Sequence, residues 1–154
     1  MTDEQARALV QHHFDLVPTT AAATPSTFEV VVPVDGWLAF GQFARQTLGC
    51  DFFSFLTAID WKDAGLEVVA RVECLEGGFA VMMRTRLAAG EAATCPSLVS
   101  VFRGADWMER ECFDMFGIRF DGHGDLRRIL LSDDWEGHPL LKSYAVDTPH
   151  PPYR

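Results

Sequence analysis

Glu111 and Asp114 stand three residues apart in DWMERECFDMFG (Asp106–Gly117), and two carboxylates at that spacing fall on one side of a helix. Such a pair could serve as general acid and base if burial raised the pKa of one of them. Arg110, Arg127 and Arg128 are close enough in sequence to pair with both instead, which would keep the acids ionised and structural. On residue types alone the salt-bridge reading is the stronger. His12 and His13 are adjacent and cannot face one site together. His123 and His138 each follow a glycine, in GHGDLRR and GHPLLKSY, but no third ligand has the spacing a metal requires. A histidine at such a turn more often bonds a backbone carbonyl or a neighbouring chain. Cys50, Cys74, Cys95 and Cys112 are separated by 24, 21 and 17 positions, so no CxxC pair is present for zinc or an iron–sulfur cluster. They read as free thiols of a reducing compartment. There is no GxxxxGK[ST], no GxGxxG after a strand and no nucleophile elbow.

The elements that must hold these residues follow from periodicity. A helix is predicted from a Thr2 or Asp3 cap to about Phe14, with Ala6, Leu9, Val10 and His13 or Phe14 near one face. The small-residue stretch PTTAAATPST reads as a flexible loop, and Phe28–Val34 as a β-branched strand. Asp35 is placed to cap a helix over Gly36–Leu48, whose Trp37, Phe40, Ala44 and Leu48 recur at spacings of three and four before Gly49. Asp51–Trp61, Leu66–Leu75 and Phe79–Leu87 read as strands, the last two joined by a turn at Gly77-Gly78. Val68, Ala70, Val72 and Cys74 lie on one face of their strand with Arg71 and Glu73 on the other. Phe79, Val81, Met83, Thr85 and Leu87 likewise oppose Arg84 and Arg86.

After the loop AAGEAATCP comes a short helical segment, Ser97–Phe102. A helix over Trp107–Phe116 follows, opened by a capping box of Asp106 with Glu109 and ended by Gly117. Met108, Cys112, Met115 and Phe116 should be its buried side. One apolar face per strand implies helices on one side of the sheet only. The expected architecture is a two-layer α+β domain over residues 1–142, with a mixed or antiparallel sheet covered by helices on one face. An extended proline-rich arm over residues 143–154 completes it.

Composition narrows the class. The chain has 154 residues, 48% apolar and 23% charged, with twelve Phe and four Trp, which suits one packed domain. Thirteen Lys and Arg against twenty-two Asp and Glu leave a charge of −9, opposite to the basic face a nucleic-acid binder presents. The excess is spread, with twelve acids against six bases in residues 1–102 and ten against seven in 103–154. Attraction to an anionic membrane surface is therefore not the expected binding force. The opening MTDEQARALV lacks the basic and apolar regions of a secretory signal, which points to the cytosol, and no apolar run has the length of a membrane span.

What remains is a surface. From Arg119 the segment RFDGHGDLRRILLSDDWEGHPLLKSY mixes apolar pairs, an arginine pair, Trp135 and turn-forming glycines and proline, then runs into AVDTPHPPYR. Trp, Tyr and Arg are the side chains that anchor protein interfaces, and a proline-rich tail loses little entropy on ordering along a partner.

These residues also resemble a known family. The run DWMERECFDMFGIRFDGHGDLRRILLSDDWEGHPLLKSY (Asp106–Tyr144) closely resembles the signature of the C subunit, the hydrophilic 30-kDa-type subunit of proton-pumping NADH:quinone oxidoreductase (respiratory complex I). Upstream, FLTAIDW is similar to the family's L-x-D-I-T-A-V-D-Y strand, so the likeness covers about Asp51–Tyr144. Three positions depart from it. Gly124 stands for the proline usual after Gly-His, Leu141 for an arginine, and Ser143-Tyr144-Ala145 for D-Y-P. The first loosens a turn, and the others remove a charge pair where the tail begins.

The resemblance implies a non-catalytic α+β subunit of the peripheral arm, at the cytoplasmic face of the membrane and held there through partner subunits. Flavin, iron–sulfur clusters and quinone would belong to those partners, and this chain would carry none. Its partners would be the large quinone-site D subunit and the neighbouring B and I subunits, with no nucleic acid and no membrane insertion. Asp106, Glu109, Arg110, Glu111, Asp114 and Gly117 become structural. Trp107, Arg127, Arg128, Trp135, His138, Pro139, Lys142, Tyr144 and Tyr153 become expected interface residues. Two alternatives stand beside this reading. One is the equivalent subunit of a membrane-bound hydrogenase or formate hydrogenlyase complex; the other is a small stand-alone enzyme using Glu111 and Asp114.

Overall fold

The computed structural model describes residues 1–21, 24, 26–88 and 93–147. Helix α1 covers Asp3–Phe14; Thr2 caps it, accepting from the Gln5 N–H while the Gln5 side chain returns to the Thr2 N–H. A five-stranded sheet follows from β1 (Thr19–Thr20), β2 (Thr27–Val31), β3 (Phe52–Asp60), β4 (Leu66–Cys74) and β5 (Phe79–Leu87), in the order β1-β2-β5-β4-β3. β2 runs parallel to β5 and every other pair is antiparallel, so the sheet is mixed. Helix α2 (Trp37–Gln46) carries the chain from β2 to the opposite edge at β3. A two-stranded parallel sheet of β6 (Thr94–Pro96) and β7 (Arg119–Asp121) flanks helix α3 (Ala105–Phe116) in sequence.

Strand alternation sorts the sheet into an apolar and a charged face. Val30, Met83, Ala70 and Leu56 lie in register across four strands, and all four are buried. They join one core with Ala6 and Val10 of α1 and Trp37, Phe40 and Ala44 of α2. The rings of Phe14, Phe40 and Phe43 pack at 5.1–6.1 Å between centroids. On the other face Arg84 reaches Glu29 (2.9 Å) and Glu67 (3.3 Å), and Arg86 also meets Glu67 (3.3 Å). The Trp61 indole N–H donates to Glu67 at 2.9 Å while the Arg86 guanidinium lies over its ring. Glu67 is therefore buried on a face that no helix needs to cover, because its neighbours supply the donors.

Both sheet edges are blunted, which matters because an open edge recruits other strands. β1 is two residues long. β3 is bulged between Phe53 and Phe55, and at Leu56 its N–H donates to the Met108 sulfur of α3 at 3.1 Å.

Several local expectations are corrected. The stretch 18–27 is not purely loop, since Thr19–Thr20 pairs with β2. Asp35 does not cap α2: the chain enters through a 3-10 turn at Val34–Gly36, so a backbone carbonyl, Pro33, receives the Gly36 N–H. The stretch before Ser97 contains β6. Ser97–Phe102 is no helix but one tight turn, with the Leu98 carbonyl accepting from Val101 and Phe102. Nor does Asp106 form a capping box with Glu109. The helix starts at Ala105 with Gly104 as N-cap and no side-chain cap, because Phe102 and Arg103 carbonyls already accept from the Ala105 and Asp106 N–H groups. Of the predicted buried side of α3, Cys112 is fully buried, while Met108, Met115 and Phe116 are half-buried.

The core reading has a direct test. Phe40→Ala, at a fully buried ring contacting two others, should lower unfolding free energy in a urea titration by about 3–5 kcal/mol. Val31→Ala, on the open face and 61% exposed, should change it by no more than about 0.5 kcal/mol.

Candidate protein–protein interface

Helix α3 is a short amphipathic element that buries charge as well as apolar surface. Ala105, Glu109, Arg110, Cys112 and Asp114 are all buried. Glu109 faces the 97–102 turn: its carboxylate accepts from the Ser97 hydroxyl at 2.7 Å and from the Leu98 N–H at 2.6 Å. Burial pushes its carboxyl up to about 7, against the opposing pull of the Ser97 and Leu98 donors.

Arg110 and Asp114, one turn apart, face the other way and organise residues 127–140. Asp114 accepts from Arg128 Nη1 at 2.6 Å and from three successive backbone N–H groups, those of Ile129, Leu130 and Leu131, at 3.1, 2.8 and 2.9 Å. Arg110 donates to the carbonyls of Arg127 and Arg128. The second nitrogen of Arg128 donates to the carbonyls of Trp135 and Gly137, both at 3.0 Å. His138 Nδ1 donates to the Asp114 carbonyl at 2.8 Å, and the Leu140 N–H to that of Met115 at 3.0 Å. Burial alone would raise the Asp114 carboxyl, but Arg128 and the three N–H donors hold it below the usual carboxylate range.

Gly117 ends α3 at φ +76°, where a side chain is strained, and a Cβ there would stand 2.8 Å from the His138 ring. A second acid pins the chain further on. Asp60, at the end of β3, accepts from the Lys142 and Lys62 N–H groups, both at 2.7 Å. The Lys142 N–H is the main reason its carboxyl lies below its ordinary value. Between these anchors lies a cleft of about 780 Å³ lined by Asp60, Lys62, Phe116, Gly117, His138 and Lys142.

The residues named from sequence divide accordingly. Glu109, Arg110, Asp114 and Gly117 are internal supports. Glu111 is exposed, so it shares no site with the buried Asp114, and the paired-carboxylate geometry is absent. Arg128 turns inward with its guanidinium engaged, whereas Arg127 points outward beside Asp125 at 3.0 Å. Asp106 binds His123 Nε2 at 3.0 Å, and His123 Nδ1 accepts from the Asp125 N–H at 3.0 Å. Trp107 is 69% exposed. Trp135, His138, Pro139 and Tyr144 are half-buried, Tyr144 lying against Gly137, and Lys142 is exposed. Tyr153 lies outside the described residues. Leu130, Leu140 and Val146 are large apolar groups held outward.

Sequence reasoning missed Ser97 and Asp60 as fasteners, whereas the expectation that a turn histidine bonds a backbone carbonyl holds at His123, to Asp106, and at His138, to Asp114. The aspartate of FLTAIDW was the one visible signal, but its partner lies 82 residues away. Among the described residues no three His, Cys, Asp or Glu side chains cluster as a metal site would, and no helix is long and apolar enough to cross a membrane.

Comparison with known proteins gives consistent matches. The family model described as respiratory-chain NADH dehydrogenase, 30 Kd subunit, matches residues 30–150. The NADH-quinone oxidoreductase C subunit of Rhodobacter capsulatus is 39% identical over 152 residues, covering 95% of this chain and 73% of that protein. Its counterpart in Chloroherpeton thalassium is 39% identical over 121 residues, covering 77% of this chain, which spans half that relative's length. The NADH-quinone oxidoreductase C/D subunit of Phocaeicola vulgatus is 42% identical over 100 residues, 65% of this chain and 19% of that one. Among solved structures, a chain of the membrane-bound sulfane sulfur reductase, an archaeal respiratory membrane complex, superposes with a TM-score of 0.73 at 22% identity. The match covers 86% of this chain and 77% of that one, a likeness of fold.

Removing the hub should be costly. Asp114→Ala leaves Arg128 and three N–H groups without their acceptor and should lose about 3–5 kcal/mol in a urea titration. Because the folded carboxyl is depressed, its contribution is present above the unfolded value of about 3.9 and is lost as pH falls through the lower folded value. Wild type should therefore destabilise below about pH 4, and Asp114→Asn, weaker at pH 7, should lose less over the same fall.

Proposed function

The chain belongs to the respiratory-chain NADH dehydrogenase 30 Kd subunit family, and from that premise we propose a cofactor-free assembly subunit of the peripheral arm of a proton-translocating NADH:quinone oxidoreductase. Its relatives are NADH-quinone oxidoreductase C subunits, so its setting is respiratory electron transport. In this reading it packs against the large quinone-site D subunit, with the B and I subunits as further neighbours. Flavin, clusters and quinone reside in other subunits. The chain sits at the cytoplasmic face of the membrane and is held there by its partners.

The observation that carries the reading is the ordering of residues 127–142 by Asp114, Arg110 and Asp60, with Trp107, Leu130, Leu140 and Val146 left exposed. A chain that spends buried charge to hold apolar side chains in water presents a preorganised docking surface. Trp107, Arg127, Trp135, His138, Pro139, Lys142 and Tyr144 would contribute to it. Arg128 would support it from within, and Tyr153 would extend it along a partner. Residues 1–142 would be the folded body and 143–154 the arm.

The C/D name of the Phocaeicola relative supports the D subunit as partner, since a protein named for both subunits is the natural product of fusing two that pack together. The relatives' names favour this reading over the hydrogenase-type alternative. The exposed Glu111 and the fully bonded Asp114 speak against a stand-alone acid–base enzyme.

Co-purification with the large quinone-site subunit tests the proposal. Leu130→Asp and Trp107→Ala should each weaken association at least about tenfold while leaving the isolated chain's melting temperature within a few degrees. Deleting residues 148–154 should weaken it as well. If all three variants remain fully bound, this surface is not the interface.

A further inference from the structure

Glu109 is the one fully buried acid of α3 that the hub does not use. Among the described residues no Lys, Arg or His stands within salt-bridge distance of its carboxylate, in contrast to Asp114 and Glu67. Its two partners are neutral and belong to one turn: the Ser97 hydroxyl and the Leu98 N–H. Ser97 Oγ also accepts from the Val99 N–H at 3.2 Å, so in the ionised state its one hydrogen goes to Glu109 and its lone pairs to the backbone.

We infer that Glu109, Ser97 and the Leu98 amide form a proton-operated latch that sets the conformation of residues 97–103. The chemistry is a reversal of one hydrogen bond. With Glu109 ionised, Ser97 donates and the turn is clamped by two short bonds. When Glu109 takes a proton from solvent, its own O–H must donate to Ser97 Oγ, the serine hydrogen has to find another acceptor, and the bond from Leu98 loses its charge assistance.

The turn transmits this to a surface. The Val101 carbonyl accepts from Arg45, whose guanidinium also lies over the Phe102 ring. Phe102 packs on Phe53 at 5.0 Å, and Phe52, Phe53, Phe102, Arg45 and Arg103 line a second cleft of about 590 Å³. Leu98 itself fits closely over α2, where a Cβ at Gly41 would come within 2.8 Å of it.

The groups facing Glu109 bear on its proton affinity from every side. Asp106 and Cys112 share its helix, Cys95 comes from β6, and His123 from the segment after β7. Asp106 disfavours the charge and His123 favours it. His123 has both ring nitrogens engaged by Asp106 and the Asp125 N–H and does not bond the carboxylate. The two thiols are held protonated by burial and bring no charge. Desolvation, which outweighs these, places the group's proton exchange at about 7.

Carbon-13 and nitrogen-15 NMR of the full chain tests the latch directly. Glu109 Cδ should titrate with a midpoint near 7, and the amides of Leu98, Val99 and Val101 should move with the same midpoint. Glu109→Gln should abolish that amide titration, while His123→Gln should leave it in place. The inference is overturned if Cδ titrates at the ordinary glutamate value of about 4.3, if the amides stay still while it titrates, or if His123→Gln removes the transition. The wild-type Cδ and amide titrations together decide the matter even if Glu109→Gln fails to fold.

Discussion

One carboxylate organises the C-terminal half of this protein. Asp114 is fully buried on α3, and it remains ionised because Arg128 and three consecutive backbone N–H groups deliver four donors to it. An isolated carboxylate in that position would be driven to take up a proton, so the charge and the loop require each other. Residues 129–131 have no helix or strand to satisfy their N–H groups, and Asp114 replaces the missing ladder. Arg110 does the reverse for the carbonyls of Arg127 and Arg128 just before them, and Asp60 accepts in the same way from the Lys142 N–H. A long stretch with almost no regular structure is thereby as determined as a strand would be.

The sheet obeys the same rule from the opposite direction. Its helix-covered face is apolar in continuous rows, and its open face is closed by an ion network centred on Glu67 rather than by another layer. That network pairs Arg84 and Arg86 with Glu67 and Arg84 with Glu29, and the body stands as two layers. The surface contrast is then plain. The open sheet face has its charge balanced among its own side chains, whereas the C-terminal segment holds Leu130, Leu140 and Val146 in water. That contrast sets a charge-balanced sheet face apart from a C-terminal surface with exposed apolar side chains.

Much of the fold was legible because side-chain periodicity reports burial directly. Val68, Ala70, Val72 and Cys74 alternate with Arg71 and Glu73, and the strand follows. Trp37, Phe40 and Ala44 recur at helical spacing, and α2 follows. Thr19–Thr20 and Thr94–Pro96 were not legible, since two- and three-residue strands carry no period and exist only where a partner strand arrives. The motif Asp106–Glu109 misled for a related reason. A capping box and a buried carboxylate look alike in sequence, and the choice depends on whether Ser97 and Leu98 are within reach.

By itself, then, the sequence determined which residues make elements, which faces of them are apolar, and which family the chain resembles, because those properties are local or carried by a contiguous run. Only the tertiary structure decided what each charge does. Glu111 and Asp114 are equivalent on a helical wheel. One ends in water and the other at the centre of four hydrogen bonds, because partners 14–17 residues away fold back onto a single side of α3. Arg127 and Arg128 are neighbours in sequence, yet one faces outward and the other is locked inside. The physical reason is that the fate of a charge depends on who desolvates and who pairs with it, and those partners are brought together by the fold.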